Sequence, residues 1–172
     1  MSSCKDFAEM LLNEALKGNY KISCAESCTG GLIGGAITEI SGSSEIFNGS
    51  AVTYSNEAKR DILGVDESIL KNYGAVSSEC ALAMAKGALK IYNSDFAISV
   101  TGIAGPEGGT NDKPVGTVWF GISTRHDDKN YSFMKKFSGD RQNVRAQTIE
   151  MALKELLRVI KEANMNNKKE AD

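Results

Sequence analysis

The chain has 172 residues, 41% hydrophobic and 24% charged, with a formal net charge of −2, a composition that fits one ordinary domain with a core of its own. That balance excludes a general attraction to DNA or to an anionic membrane, and no apolar run reaches membrane-spanning length. The opening Met1-Ser2-Ser3-Cys4-Lys5-Asp6 lacks the basic-then-apolar pattern of a secretory signal, so a cytoplasmic location is expected, with Cys4, Cys24, Cys28 and Cys80 as free thiols.

A helix is predicted over Ser3 to Lys17, with Ser3 and Asp6 at capping-box spacing and Gly18 at its end. Tyr20 to Ala25 reads as a buried strand, and Leu32, Ile33, Ala36, Ile37 and Ile40 then recur at helical spacing. Ser41-Gly42-Ser43-Ser44 reads as a loop, and Ile46 to Tyr54 as a strand with a bulge at Asn48-Gly49. Ser55 can cap a short helix closed by Gly64, and Ser68 to Tyr73 can form another helical turn. A clearer helix opens at Ser77 or Ser78 and runs to Asn93. Phe96 to Val100 is nearly all apolar, as in a central strand covered on both faces. After a glycine-rich segment, Val115 to Thr124 and Asn130 to Phe137 form a hairpin around His126-Asp127-Asp128. Asp140 caps a long last helix, and the polar tail from Asn164 to Asp172 is expected to fray. Strands alternating with helices and ending in a hairpin predict one domain, a three-layer α/β/α sandwich with a mixed β-sheet.

Three loops stand out chemically. Ala25-Glu26-Ser27-Cys28-Thr29-Gly30-Gly31 puts a serine on a strand-to-helix turn, where backbone N–H groups and the helix dipole suit an anion or an oxyanion. Ser, Thr and Gly are equally ordinary caps and turn residues, so a purely structural role stands beside that one. Tyr54-Ser55-Asn56-Glu57-Ala58-Lys59 follows the second strand, and Thr101-Gly102-Ile103-Ala104-Gly105-Pro106 follows the third. In open α/β sheets, ligands bind beyond the carboxyl ends of strands, where all three loops lie. Taken alone, Lys59 reads as a solvated lysine on a short amphipathic helix. The sole histidine, His126, sits in a hairpin turn, which weighs against a Ser-His-Asp triad. Cys24-x-x-x-Cys28 has no second ligand pair at zinc spacing, so no metal and no cofactor are expected. Without a metal or a carboxylate cluster, phosphoester hydrolysis is disfavoured.

With Gly42-Ser43-Ser44, Gly74-Ala75-Val76-Ser77, Lys113-Pro114-Val115-Gly116 and Gly139-Asp140-Arg141, these segments resemble the C-terminal domain of the CinA family from about Phe7 to Ala163. The family is named for an association with competence and damage-inducible genes. The resemblance implies a domain without the family's N-terminal nucleotide-pyrophosphatase. It implies a serine–lysine amidohydrolase that deamidates nicotinamide mononucleotide, with Ser27 as nucleophile and Lys59 as its base. Backbone N–H groups from Cys28 to Gly31, Thr29 and Gly30 among them, would form the oxyanion hole. Ser43, Ser44, Thr101, Gly102 and Arg145 are candidates for the phosphate, Glu26 for orienting Lys59 or the ribose, and Tyr54 and Asn56 for direct or supporting contacts. The partner expected is this small nucleotide, with a homo-oligomer, a dimer favoured. An acidic chain without a basic stripe weighs against direct nucleic-acid binding. The rival reading is a non-enzymatic ligand-binding or regulatory domain tied to competence or DNA-damage functions.

Overall fold

A computed structural model describes residues 3–127 and 129–171; Asp128 of the expected hairpin turn and Asp172 of the expected tail lie outside the described residues. In chain order the elements are α1 (Cys4–Gly18), β1 (Ile22–Glu26), α2 (Leu32–Thr38), β2 (Phe47–Val52), α3 (Asn56–Leu63), α4 (Glu67–Tyr73), α5 (Ser78–Ile91), β3 (Phe96–Gly102), β4 (Thr117–Thr124), β5 (Asn130–Lys136) and α6 (Arg141–Ala171). The loop expected at Ser41 to Ser44 runs into a 3-10 turn, Ser43–Glu45, before β2. Several starts follow from local chemistry. Ser3 and Asp6 close a capping box, and Ser55, Ser77 and Asp140 each accept a backbone N–H in the first turn of their helices. Helix α6 continues through the polar segment expected to fray, where the Asn164 amide donates to the Glu14 carbonyl and that of Asn167 to the Tyr20 hydroxyl.

The strands lie in the order β2-β1-β3-β4-β5, with β1 parallel to β2 and β3, and β4 antiparallel to β3 and β5. The sheet is mixed, and helices cover both faces, which makes the three-layer α/β/α sandwich. On one face Ile22, Cys24, Ile98, Val100, Val118, Phe120 and Ile122 pack against apolar residues of α1, α2 and α6. On the other, Ala25, Ala51 and Ala97 meet Leu63 of α3 and Cys80, Met84 and Ala88 of α5. Helix α5 lies close on the sheet: a Cβ at Gly121 would fall 2.2 Å from the Ala81 carbonyl oxygen, and the Ser99 hydroxyl donates to that same oxygen at 2.5 Å. The register of β1 on β2 skips from Phe47 to Gly49, which puts the bulge at Asn48.

Strand β1 is flanked by parallel neighbours, and its two crossovers leave on opposite faces. Helix α2 carries the chain to β2 on one face; α3, α4 and α5 carry it back over β1 to β3 on the other. Loops that diverge in this way open a crevice at the carboxyl edge of the sheet.

Candidate active site

Ser27 follows β1 at that edge, between β2 and β3. Its N–H donates to the Val100 carbonyl at 3.1 Å, and the Glu26 carbonyl accepts from Thr53 N–H at 2.8 Å, so the backbone here is tied to both neighbouring strands. Residue Lys59 comes from α3, whose Ser55 cap fixes where the helix begins. Its Nζ lies 3.1 Å from Ser27 Oγ, 2.8 Å from the Thr53 carbonyl oxygen and 3.2 Å from that of Tyr54. It is 1% exposed, not the solvated lysine that its local sequence suggests. Burial, the largest influence, holds its pKa below the usual lysine value. The Cys80 and Cys28 thiols could oppose this only as thiolates, but burial pushes each up to about 11, so both are neutral near physiological pH. A buried, protonated thiol is a poor nucleophile. As an ammonium Lys59 donates to all three oxygens; as the neutral amine that burial favours, it keeps two N–H groups for the carbonyls and a lone pair for the Ser27 hydroxyl.

Ser27 and Lys59 sit in a cavity of about 230 Å³. Cys28, Tyr54, Thr101 and Gly102, all expected here, line it with Ala75, Val76, Ala104 and Arg141. The Thr101 hydroxyl donates to the Ala75 carbonyl at 2.8 Å. Gly102 leaves no space for a side chain, since a Cβ would fall 2.7 Å from the Thr117 carbonyl oxygen. Arg141 spans the mouth: one guanidinium nitrogen donates to the Gly105 carbonyl at 2.8 Å and another to the Tyr54 hydroxyl at 3.3 Å. Sequence reasoning put Arg145 ahead of Arg141; only the phase of α6, which spacing does not give, separates them.

The remaining expected residues fall elsewhere. Arg145 donates to the Thr29 carbonyl at 3.2 Å, behind the serine turn and outside the lining of the cavity, and its Nε is buried without a partner. Asn56 is exposed at the first position of α3. Ser43 and Ser44 precede β2 at the opposite edge of the sheet, one strand length from Ser27, so within one chain they do not reach this cavity. The expected helix-dipole site is also corrected. Glu26 points to the α2 face, away from Lys59, and is fully buried. Its carboxylate accepts from the Thr29 hydroxyl (2.6 Å), the Gly31, Ile33 and Gly34 N–H groups (2.9–3.0 Å) and the Ser50 hydroxyl (2.8 Å). It therefore contacts neither Lys59 nor the cavity. The Gly30 N–H donates to the Ser27 carbonyl. Of the four N–H groups from Cys28 to Gly31, those of Gly30 and Gly31 are thus taken, by the Ser27 carbonyl and by Glu26; Cys28 lines the cavity, whereas Thr29 is fully buried outside its lining.

His126 lies far off in the hairpin, its Nε2 2.7 Å from Asp95. Among the described residues, no group of three or more His, Cys, Asp and Glu is placed to hold a metal ion, and no helix is long and apolar enough to cross a membrane.

Fold and site together define a three-layer α/β protein with a buried serine–lysine pair at the carboxyl edge of its sheet. Residues 5–160 match the model of the CinA C-terminal domain, and the chain belongs to that family. It is 51% identical to nicotinamide-nucleotide amidohydrolase PncC of Enterobacter agglomerans over 148 residues, covering 86% of this chain and 90% of that protein. Against the longer CinA-like protein of Fervidobacterium nodosum it is 44% identical and spans 38% of that chain's length while using 91% of its own. The crystal structure of a CinA superfamily protein from Klebsiella pneumoniae superposes with a TM-score of 0.89 at 31% identity, covering 94% of this chain and 99% of that one.

Proposed function

We propose that the chain hydrolyses the carboxamide of nicotinamide mononucleotide, giving nicotinic acid mononucleotide and ammonia. The observation that carries this reading is the buried Lys59 amine 3.1 Å from Ser27 Oγ. Ser27 Oγ bonds to the carboxamide carbon as its proton passes to Lys59 Nζ. The C–N bond then breaks, the same proton goes to the leaving nitrogen, and ammonia departs. Water attacks the acyl-enzyme, Lys59 takes its proton, and the C–O bond to Ser27 breaks as that proton returns to Oγ. The N–H of Cys28, which lines the cavity beside Ser27, is the donor assigned to the oxyanion. The cationic pyridinium of the substrate favours the neutral form of Lys59, in the same direction as burial.

A cavity of about 230 Å³ holds the ring and carboxamide, and the ribose phosphate extends past its mouth to Arg141 and Tyr54. Arg141 is the cation for the phosphate, held bidentately once it leaves its present acceptors. We place the activity in a single cytoplasmic domain that assembles as a homo-oligomer, a dimer favoured, which light scattering tests. The deciding experiment is ammonia release from the nucleotide. Wild type releases it and folded Ser27→Ala does not; absence of release by wild type would return the chain to the ligand-binding reading. A sequence 51% identical to a nicotinamide-nucleotide amidohydrolase supports the choice of substrate.

A further inference from the structure

Glu26 is the most densely bonded side chain near the serine, yet it has no part in the proton transfers above. It precedes Ser27 directly, and its side chain leaves on the opposite face of the sheet. Each of its oxygens is occupied. Oε2 accepts from the Thr29 hydroxyl, Gly31 N–H and Ile33 N–H; Oε1 accepts from Gly34 N–H and the Ser50 hydroxyl. Helix α2 begins after Gly31, which offers no side-chain cap, so the carboxylate five residues earlier does that work. The turn folds back over its own strand to allow this, with Gly30 and Gly31 at φ +61° and +98°, values that favour glycine. Ser50 ties the carboxylate to β2, and Arg145 holds the Thr29 carbonyl from α6.

We propose that Glu26 is a positioning residue of the reaction: its carboxylate takes up the N–H groups of α2 and fixes the turn that carries Ser27 and the Cys28 N–H at the cavity. The inference rests on the amidase reading for its kinetic part. A seven-residue helix with its first N–H groups bonded to a carboxylate contributes little field to the developing charge, so catalysis depends on where the turn with Ser27 and the Cys28 N–H sits. A small displacement of such groups lowers turnover more than binding.

The test uses the full chain with Glu26→Gln and Ser50→Ala. Glutamine has one acceptor oxygen and turns an NH2 group toward a site filled with donors. In Glu26→Gln, kcat should fall about tenfold or more, with KM within about twofold and the midpoint of the acid limb of the pH profile unmoved. Ser50→Ala touches neither Lys59 nor the cavity, so a smaller fall in kcat per folded molecule, at unchanged KM, is expected. Amide hydrogen exchange gives a readout independent of turnover: Gly31, Ile33 and Gly34 should exchange about tenfold faster or more in Glu26→Gln. A rise in KM at constant kcat would make Glu26 a ribose ligand, and a shifted acid limb would make it a partner of Lys59; either overturns the proposal. So does unchanged kcat per folded molecule in both variants, or unchanged exchange at the three amides. A wild type that releases no ammonia overturns the amidase reading instead, whatever the exchange rates show.

Discussion

Replacing Lys59 by arginine separates a base from a mere positive charge. The lysine amine sits among Ser27 Oγ and two carbonyl oxygens at 2.8–3.2 Å, in a place 1% exposed. Arginine keeps the charge and has donors for all three acceptors, but it has no lone pair to offer and is not deprotonated in proteins. Losing the general base costs about 10²–10⁴ in rate, or roughly 2.7–5.5 kcal/mol of barrier. The wider guanidinium overpacks the site by about 1–3 kcal/mol, which lowers Tm by roughly 2–12 °C in a chain of this size. The assay is ammonia release per folded molecule, measured below the onset of melting, with Lys59→Ala alongside. Both variants should be nearly inactive, and wild-type activity should rise with pH, with a midpoint below the ordinary lysine value of about 10.4. The sign follows from the neutral amine being the base: protonation removes it, so activity falls on the acid side. Substantial turnover by Lys59→Arg together with a flat wild-type profile would refute the reasoning.

Three further outcomes test the same site. Ser27→Ala should melt within a few degrees of wild type and retain less than about a hundredth of its rate, a loss above roughly 2.7 kcal/mol of barrier; calorimetry beside the ammonia assay checks both. Cys28→Ala should stay within about fivefold of wild type, under roughly 1 kcal/mol of barrier, because burial pushes the thiol up to about 11 and leaves it protonated; rates before and after iodoacetamide check this. The depressed pKa of Lys59 means that the unfolded chain binds more protons than the folded one between the two pKa values, so the group makes stability rise with pH there. Denaturant melts of wild type against Lys59→Met should show wild type gaining stability relative to the variant as pH climbs through that alkaline window, and no relative gain would mean that Lys59 is not depressed.

Much of the fold was legible because its signals are local. Caps at Ser3, Ser55, Ser77 and Asp140 act within one helical turn, and the unbroken apolar run from Phe96 reports a strand covered on both faces. The pairing of Ser27 with Lys59 was not legible from the residues. The two are 32 positions apart on different elements, and no spacing rule joins them, so the family resemblance carried it. The phosphate candidates divided on geometry. Residues Ser43 and Ser44 lie on the connection from a helix into a parallel strand, which must sit at the amino edge of the sheet. The rule that ligands gather at the carboxyl edge already excludes such a loop. Arg141 and Arg145 differ by about one helical turn, roughly 6 Å along the axis, and which of them reaches the mouth depends on how α6 is seated on the sheet.

The strand period of two explains why the decisive residues are neighbours in sequence but not in role. Successive side chains of β1 alternate between the faces. Cys24 and Glu26 turn toward α2, while Ala25 turns toward α5 and Ser27 toward Lys59. At the end of a central strand, one face can therefore hold the turn rigid while the other carries the chemistry. A carboxylate with five donors on the first face needs no freedom, and a hydroxyl with one amine on the second keeps what freedom it needs. Exchanging the two residues would bury a serine among donors it cannot satisfy and set a carboxylate against Lys59. That carboxylate would favour the charged amine and remove the base of the proposed mechanism. The order Glu26-Ser27, rather than either residue alone, is what the proposed mechanism requires.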